Sequence, residues 1–315
     1  MRIEIGAEFD GLLLRDLLRR ELHVSVKLLA RLKRDEEGIL VNGERVTVRH
    51  ILREGDVVEI SDFPEEPPTH IEAVDLPVDI VYEDEYMLVA NKPPFMPTHP
   101  SHDHHYDTLA NALAYRYREV QSPYIFRPVS RLDRNTSGLV TIAKTKYASA
   151  QLNRVMHRGG FSKQYLAILE GVPDNAEGEI NACLHRTEKS VILREVCSPD
   201  VPDAEPSVTR YRVLFSGGTH SVVLASPITG RTHQLRVHFA SIGTPILGDD
   251  LYGRVSEMIP RHALHAAALN FSHPITDADM HLRSPLPEDM RMSISSLFGE
   301  DAASEILSLI ENELL

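Results

Sequence analysis

The 315-residue sequence predicts an α+β protein with a mixed, mainly antiparallel central sheet, flanking helices and a small N-terminal α/β domain. Apolar strand patterns such as 139–143, 211–215 and 221–225 follow one another with few regular helices between them. This order argues against a doubly wound parallel sheet. Residues 146–158 form an amphipathic helix pattern, which supplies one of the flanking helices.

The first 62 residues are predicted to form the separate small domain. Leucines recur at helical spacing between residues 12 and 22, and Ser25 is suited to cap a second helix. Residues 39–46 place an Asn-Gly pair between two apolar runs, a pattern typical of a β-hairpin. Two helices and a hairpin therefore precede the main sheet.

The rest of the chain divides by composition. Residues 63–75 are acidic and proline-rich, as expected of a stiff, exposed linker. Residues 76–295 carry the strand patterns of the main domain, and residues 296–315 read as an acidic surface helix. The sequence thus predicts two domains, a linker and a C-terminal helix.

Composition favours a soluble protein of a reducing compartment, and we expect a cytoplasmic location without membrane contact. Hydrophobic residues make up 42% and charged residues 25% of the chain, and no long apolar run or signal-peptide pattern occurs. Cys183 and Cys197 are predicted to be free thiols. His102, His104 and His105 cluster without the cysteines or carboxylates of a metal site, so we predict no metal.

The net charge of −13 is unusual for a nucleic-acid-binding protein, because phosphate contacts need cations. The negative charge is unevenly distributed, however. Residues 63–80 and 296–315 each carry five acidic residues and no Lys or Arg, whereas residues 81–160 carry 10 basic and 7 acidic residues. A basic cleft on an acidic protein is therefore compatible with the sequence.

The most informative segment is 130–139, in which Asp133 lies between Arg131 and Arg134. Nearby cations favour the ionised form of a carboxyl group. The following Thr-Ser-Gly is predicted to form a tight turn that leads into a buried strand. Taken alone, this pattern is more often a surface ion pair than a catalytic site.

Segment 130–139 nevertheless resembles the active-site motif of the RluA-type pseudouridine synthases. Further segments resemble motifs of that family and follow in the same order: 82–94, 99–100, 163–165, 230–239, 243–253, 262–266 and 269–274. One departure is Ser130, which stands where the family usually has His. The ordered series, rather than any one motif, supports the resemblance.

The resemblance implies the pseudouridine synthase fold and the isomerisation of specific uridines in ribosomal or transfer RNA, without a cofactor. Asp133 matches the catalytic aspartate, Tyr165 the active-site tyrosine, and Arg231 the arginine that pairs with the aspartate. Arg131 matches the residue that enters the space left by a flipped base. The resemblance also suggests that the pocket wall includes Leu235, His233 and Gln234. A monomer is the default expectation.

The N-terminal domain resembles the S4 RNA-binding domain that often precedes this catalytic domain. Its RNA-facing surface would then contain Arg19, Arg20, Lys27, Arg31, Lys33 and Arg34. A solvated helix face explains the same charges equally well. Two other functions remain open at this level: an RNA-binding or chaperone protein without catalysis, and a hydrolase that cleaves an N-glycosidic bond without rejoining it.

Overall fold

The structure is a computed structural model that describes residues 2–22, 24, 26–61, 71–120, 124–188, 190 and 192–314. The chain forms two compact units, Met1–His70 and Ile71–Leu315, so the division falls within the segment predicted as a linker. Residues 63–70 of that segment, and the predicted helix cap Ser25, lie outside the described residues.

The first unit is a four-stranded antiparallel sheet packed against short helices. Its strand order is β1-β4-β2-β3. The hairpin turn forms where the Asn-Gly pair predicts it, because Asn42 (φ 54°) and Gly43 (φ 79°) both adopt left-handed backbone. The strands β1–β4 span Arg2–Glu4, Ile39–Val41, Glu44–Arg45 and Val57–Ile60, and the helical segments are a 3₁₀ turn Ala7–Phe9, α1 Leu14–Asp16, a π-helical turn Leu17–Glu21 and α2 Val26–Leu32.

The second unit is built on a ten-stranded sheet of order β10-β9-β11-β12-β8-β13-β7-β6-β5, with β14 also paired to β13. All its pairings are antiparallel except β7 with β13, which confirms the predicted mixed sheet. The strands β5–β14 span Asp79–Glu83, Met87–Lys92, Ser137–Ala143, Phe161–Glu170, Glu177–Arg186, Arg194–Cys197, Glu205–Gly217, His220–Pro227, Leu264–Ser272 and Asp279–Arg283.

In the described part of this unit, five helices flank the sheet and cover it with apolar side chains. The predicted helix at 146–158 is α4, which the Thr145 hydroxyl caps by accepting a hydrogen bond from the Ala148 amide at 3.0 Å. The helices α3–α7 span Leu109–Arg116, Lys146–His157, Gln234–Ser241, Glu288–Phe298 and Glu300–Glu313.

The C-terminal helix α7 begins at Glu300, after Gly299 separates it from α6. It is more than a surface helix, because Ala303, Ile306 and Ile310 are buried in the same core cluster as β8 and β12. Its acidic residues Glu300, Asp301, Glu305 and Glu311 are exposed, whereas Glu313 is partly buried and pairs with Arg212. The helix therefore belongs to the core of the second unit.

Candidate active site

Asp133 lies immediately before a turn formed by Arg134 and Asn135, which leads into the buried strand β7. The Thr136 amide donates to the Asp133 carbonyl at 3.1 Å and closes this turn. Gly138, which the sequence suggested as part of the turn, lies inside β7 with φ 111°. A Cβ atom there would come within 2.2 Å of the Ala266 carbonyl oxygen, so the close approach of β13 requires this glycine.

Residues distant in sequence hold this turn through its backbone. The Thr98 hydroxyl donates to the Leu132 carbonyl at 3.0 Å and accepts from the Leu132 amide at 3.2 Å. The Lys92 ammonium donates to the Arg134 carbonyl at 3.2 Å, and the Arg261 guanidinium donates to the Asn135 carbonyl at 3.0 Å. Both cations are essentially inaccessible to solvent. Two buried cations thus bind successive carbonyls directly after Asp133.

The Asp133 carboxylate is partly open to solvent, with its side chain 28% exposed. Its nearest cation is Arg236, whose Nη1 lies 3.6 Å from Oδ2, and His233 Nε2 lies 3.9 Å from the same oxygen. A carboxylate in this setting is accessible to a ligand on one side and faces positive charge on the other. Such an acid can act as a nucleophile or stabilise developing positive charge.

Arg236 is itself held rigidly by Asp249. Its Nε and Nη2 donate to the two Asp249 oxygens at 2.8 and 2.7 Å, and both residues are buried. Burial opposes ionisation of Asp249, but the bonds from Arg236 and the Leu251 amide keep the pKa of this carboxyl below its usual range. The bidentate pair fixes the guanidinium plane in front of Asp133.

The expected pairing of Arg231 with Asp133 is wrong. Arg231 is exposed, and its Nη1 donates to Glu205 at 3.1 Å. It precedes α5, whereas Arg236 lies in the first turn of that helix and faces the interior. The sequence held one signal for this outcome: Arg236 is flanked by Leu235 and Val237, as a buried position would be, and Arg231 is not.

Two of the predicted wall residues have other surroundings. Gln234 is buried, and its amide is used inside the protein: Nε2 donates to the Val208 carbonyl and the Thr209 hydroxyl, each at 2.9 Å. Its Oε1 accepts from the Arg231 amide at 3.0 Å. Gln234 therefore fixes the loop before α5 instead of presenting an amide to a ligand. Leu235 is buried in the main core cluster, against which Tyr165 also packs.

His233 and Tyr252 border the carboxylate. His233 has a left-handed backbone (φ 58°) at the start of α5, and its Nδ1 is 2.7 Å from the Tyr252 hydroxyl oxygen. The guanidinium of Arg236 lies 5.1 Å from the centre of the Tyr252 ring. Burial lowers the pKa of His233, although the Asp133 charge acts in the opposite direction. Tyr252 was not among the predicted site residues.

Tyr165 occupies the middle of the sheet, on β8 between β12 and β13. It stands opposite Ala225 on one side and Ala266 on the other, two small residues that leave room for its ring. Burial raises the pKa of its hydroxyl, and the charge of Asp133 raises it further. The side chain is therefore a neutral phenol, and the charge of the Asp133 carboxylate favours this neutral form.

Positive side chains lie exposed on both units. Arg131 and Arg134 are exposed on either side of Asp133. In the first unit, the Arg20 side chain is 74% exposed beside Asp16, and the Arg19 guanidinium donates to the Val24 carbonyl. The side chain of Lys27 lies outside the described residues, and the other predicted RNA-contacting cations of this unit are all exposed: Arg19, Arg31, Lys33 and Arg34.

Within the described part of the chain, no group of three or more His, Cys, Asp or Glu side chains is placed to hold a metal ion. No helix there has the length and apolarity needed to span a membrane.

Comparisons with known proteins identify the family. The family model described as RNA pseudouridylate synthase matches residues 86–241, and the model for the N-terminal domain of the ribosomal pseudouridine synthase RluD matches residues 1–58. The RNA pseudouridine synthase YjbO of Bacillus subtilis, described as uncharacterized, is 38% identical over 86% of this chain and 94% of its own length. The chain belongs to the RluA family of RNA pseudouridine synthases.

Other relatives of this pseudouridine synthase carry more specific names. Ribosomal large subunit pseudouridine synthase D of Zymomonas mobilis is 36% identical over 75% of this chain and 78% of its own length. Among solved structures, human RNA Pseudouridylate Synthase Domain Containing 1 superimposes with a TM-score of 0.55 and 30% identity, covering 72% of this chain and 89% of that chain. The family resemblance of the sequence is thereby confirmed, and with it the assignment of the chain as an isomerase that acts on RNA.

Proposed function

We propose that this enzyme isomerises specific uridines of ribosomal RNA to pseudouridine, and that Asp133 is its catalytic carboxylate. One observation carries the proposal: Asp133 is partly exposed, faces Arg236 and His233, and its charge raises the pKa of Tyr165 and of Tyr252. The names of the large-subunit relatives favour ribosomal RNA. Transfer RNA is the alternative substrate.

The reaction breaks the C1′–N1 glycosidic bond of a uridine, turns the base and joins C5 to C1′. The proton on C5 leaves to solvent and N1 gains one, so no net redox change occurs and no cofactor is required. Bond breaking places positive character on the sugar, which the Asp133 carboxylate can trap covalently or stabilise by charge. Arg236, 3.6 Å away, orients this carboxylate.

Two further side chains handle the base. The neutral phenol of Tyr165 suits stacking against the flipped uracil and hydrogen bonding to it, rather than the role of a preformed base. Arg131 is exposed beside Asp133, where a planar guanidinium can occupy the space that the uridine leaves in the RNA. Flipping costs a few kcal/mol, and such contacts offset that cost.

We propose that the exposed cations of the first unit bind parts of the RNA other than the target uridine, as an S4-like domain would. We also propose that the enzyme works as a monomer in the cytoplasm. A chain with only two cysteines lacks a disulfide framework, as is usual for proteins of a reducing compartment.

The decisive experiment is tritium release from RNA labelled at uridine C5. Ribosomal and transfer RNA from cells that lack this protein would be tested separately, with the wild type beside Asp133→Ala. We expect release by the wild type from ribosomal RNA and none by the variant, because the variant has no carboxylate to attack or support C1′. Binding of RNA by the variant should stay within about tenfold of the wild type, a change of about 1.4 kcal/mol.

The same reactions distinguish the alternatives. A hydrolase would release free uracil, whereas an isomerase releases none. Release by Asp133→Ala at the wild-type rate would refute the role of Asp133. RNA binding without tritium release by the wild type, on either RNA pool, would instead support an RNA-binding function.

A further inference from the structure

Phe95 has a backbone conformation that large side chains rarely adopt. It forms a turn with Pro94 and has φ 65°, in the left-handed region that normally requires Gly, Asn or Asp. The other non-glycine residues with positive φ in the described chain are all polar: Asn42, Asp203, His233 and Asp277. Phe95 therefore strains a turn that a glycine would form freely.

Burial of the ring does not explain this strain. Phe95 is 42% exposed, although the residues that follow it, Met96 and Pro97, are buried. An aromatic ring stabilises a fold mainly by the apolar area it removes from water. A large, exposed ring on a strained backbone is better explained by a function than by stability.

The turn that carries Phe95 is fastened to the catalytic turn on both sides. Before Phe95, the Lys92 ammonium donates to the carbonyls of Pro93 at 3.0 Å, Met96 at 2.7 Å and Arg134 at 3.2 Å. After Phe95, the Thr98 hydroxyl is bonded to the backbone of Leu132. Phe95 therefore lies on a loop that is bonded to the two residues flanking Asp133, Leu132 and Arg134.

The catalytic turn to which this loop is bonded carries exposed cations. Arg131 and Arg134 are both exposed on the catalytic turn, on either side of Asp133. An exposed aromatic ring on one loop and exposed guanidinium groups on the turn bonded to that loop have the composition of surfaces that bind unpaired nucleic acid, where bases stack on rings and phosphates pair with arginines. A protein partner would more often cover a wider apolar patch.

We propose that Phe95 is a stacking platform for an unpaired RNA base next to the target uridine. The proposal rests on the proposed function and adds a substrate contact to it. The ring holds RNA in both the ground state and the transition state, because it contacts a base that does not react. Its loss should therefore raise KM and leave kcat unchanged.

The test compares Phe95→Gly, Phe95→Tyr and the wild type by tritium release at several RNA concentrations, together with thermal unfolding. Phe95→Gly should unfold at a higher temperature, because glycine relieves the strain, and yet show a KM raised about tenfold with kcat within about twofold. Phe95→Tyr keeps a ring and should keep the wild-type KM. The opposite signs of the two Phe95→Gly effects separate this proposal from a structural role.

Asp277→Gly is the matched control for strain relief. Asp277 also has positive φ (54°). It follows the C-terminal end of β13, whereas the catalytic turn lies near the other end of that strand, where His265 pairs with Ser137. This variant should unfold at a higher temperature without a change in KM.

Several outcomes would overturn the proposal. An unchanged KM for Phe95→Gly, with normal wild-type turnover, refutes the platform and leaves the proposed function intact. A fall in kcat and in unfolding temperature would make Phe95 a structural residue. A raised KM on intact ribosomal subunits but not on protein-free RNA would show that the ring contacts a protein. Absence of tritium release by the wild type would overturn the proposed function and this proposal with it.

Discussion

At the scale of single residues, the site depends on which of two nearby arginines faces the carboxylate. Arg236 lies 3.6 Å from Asp133 and is buried in a bidentate pair, whereas Arg231 bonds to an exposed glutamate. Exposed pairs contribute about 0–1 kcal/mol, while charges fixed beside a reacting group are often worth much more. The two arginines therefore make a matched pair for mutation.

We expect Arg236→Lys to lower kcat by about 100-fold, because a lysine cannot keep both bonds to Asp249 and still face Asp133. Arg231→Lys should change kcat by no more than about twofold. Both variants keep the positive charge, so neither should alter the overall electrostatic attraction of RNA. Initial rates of tritium release would measure the difference. Equal losses in the two variants would contradict the assignment of Arg236.

At the scale of elements, the sequence predicted what is local and missed what joins distant segments. The hairpin at Asn42, helix α4 and the strand after Asp133 follow from short patterns. From the sequence, the pairing was assigned to Arg231 instead of Arg236. The two residues are only five apart, and the start of α5 at Gln234 decides which of them faces inward. The bonds from the buried side chains of Lys92 and Arg261 to the carbonyls of the catalytic turn could not be predicted, because they join segments that are far apart in the sequence.

The turn between Leu132 and β7 is consequently a product of packing, and Lys92 is its central support. Lys92→Met should cost about 3 kcal/mol of unfolding free energy, since it leaves three carbonyls without their donor. The turn should also shift enough to lower kcat by about 10- to 100-fold, because small displacements of a catalytic group are costly. Urea unfolding and single-turnover kinetics would measure the two effects.

Lys144→Met is the control for stability alone. The Lys144 ammonium donates to Glu83 at 3.1 Å and to the Asp84 carbonyl at 2.6 Å, just beyond the other end of β7. This variant should lose stability while kcat remains near the wild-type value. If the two variants lost activity in proportion to their loss of stability, Lys92 would have no separate effect on the turn.

At the scale of the whole molecule, the first unit is expected to contribute RNA affinity and the second unit the chemistry. Deletion of residues 1–62 should weaken RNA binding and reduce its dependence on salt, because fewer phosphates are neutralised. Turnover of a short, saturating RNA should change little. Fluorescence anisotropy at several salt concentrations would give the slope.

Lys33 and Arg34 allow the same question to be asked of the intact chain. Both are exposed, so replacing them with Gln should leave the first unit folded. The slope of log K against log salt concentration should then become shallower by about one to two, which corresponds to the loss of one or two phosphate contacts. A slope identical to that of the wild type, in both the deletion and the double substitution, would exclude an RNA role for this unit.

Buried histidines should make the second unit sensitive to mild acid. Burial lowers the pKa of His238 and His265 to about 4 and that of His262 to about 3, from about 6.5 in the unfolded chain. Between pH 6.5 and about 4 the unfolded chain therefore binds protons that the folded protein excludes. Their contribution to stability is complete above about pH 6.5 and is lost by about pH 4, at about 1.4 kcal/mol per pH unit for each histidine.

Urea unfolding of the second unit, followed by circular dichroism at pH 7.5, 6 and 5, would measure this loss. His238→Gln removes one of the buried histidines that resist protonation in the folded protein, so the slope of stability against pH should become shallower. The variant is also less stable at pH 7.5, because His238 lies between the hydroxyls of Ser207 and Thr209, at 2.8 and 2.9 Å. The informative quantity is therefore the slope and not the stability itself. A slope near zero in the wild type would mean that these imidazoles accept protons in the folded protein, and that the buried core beneath the active site admits charge.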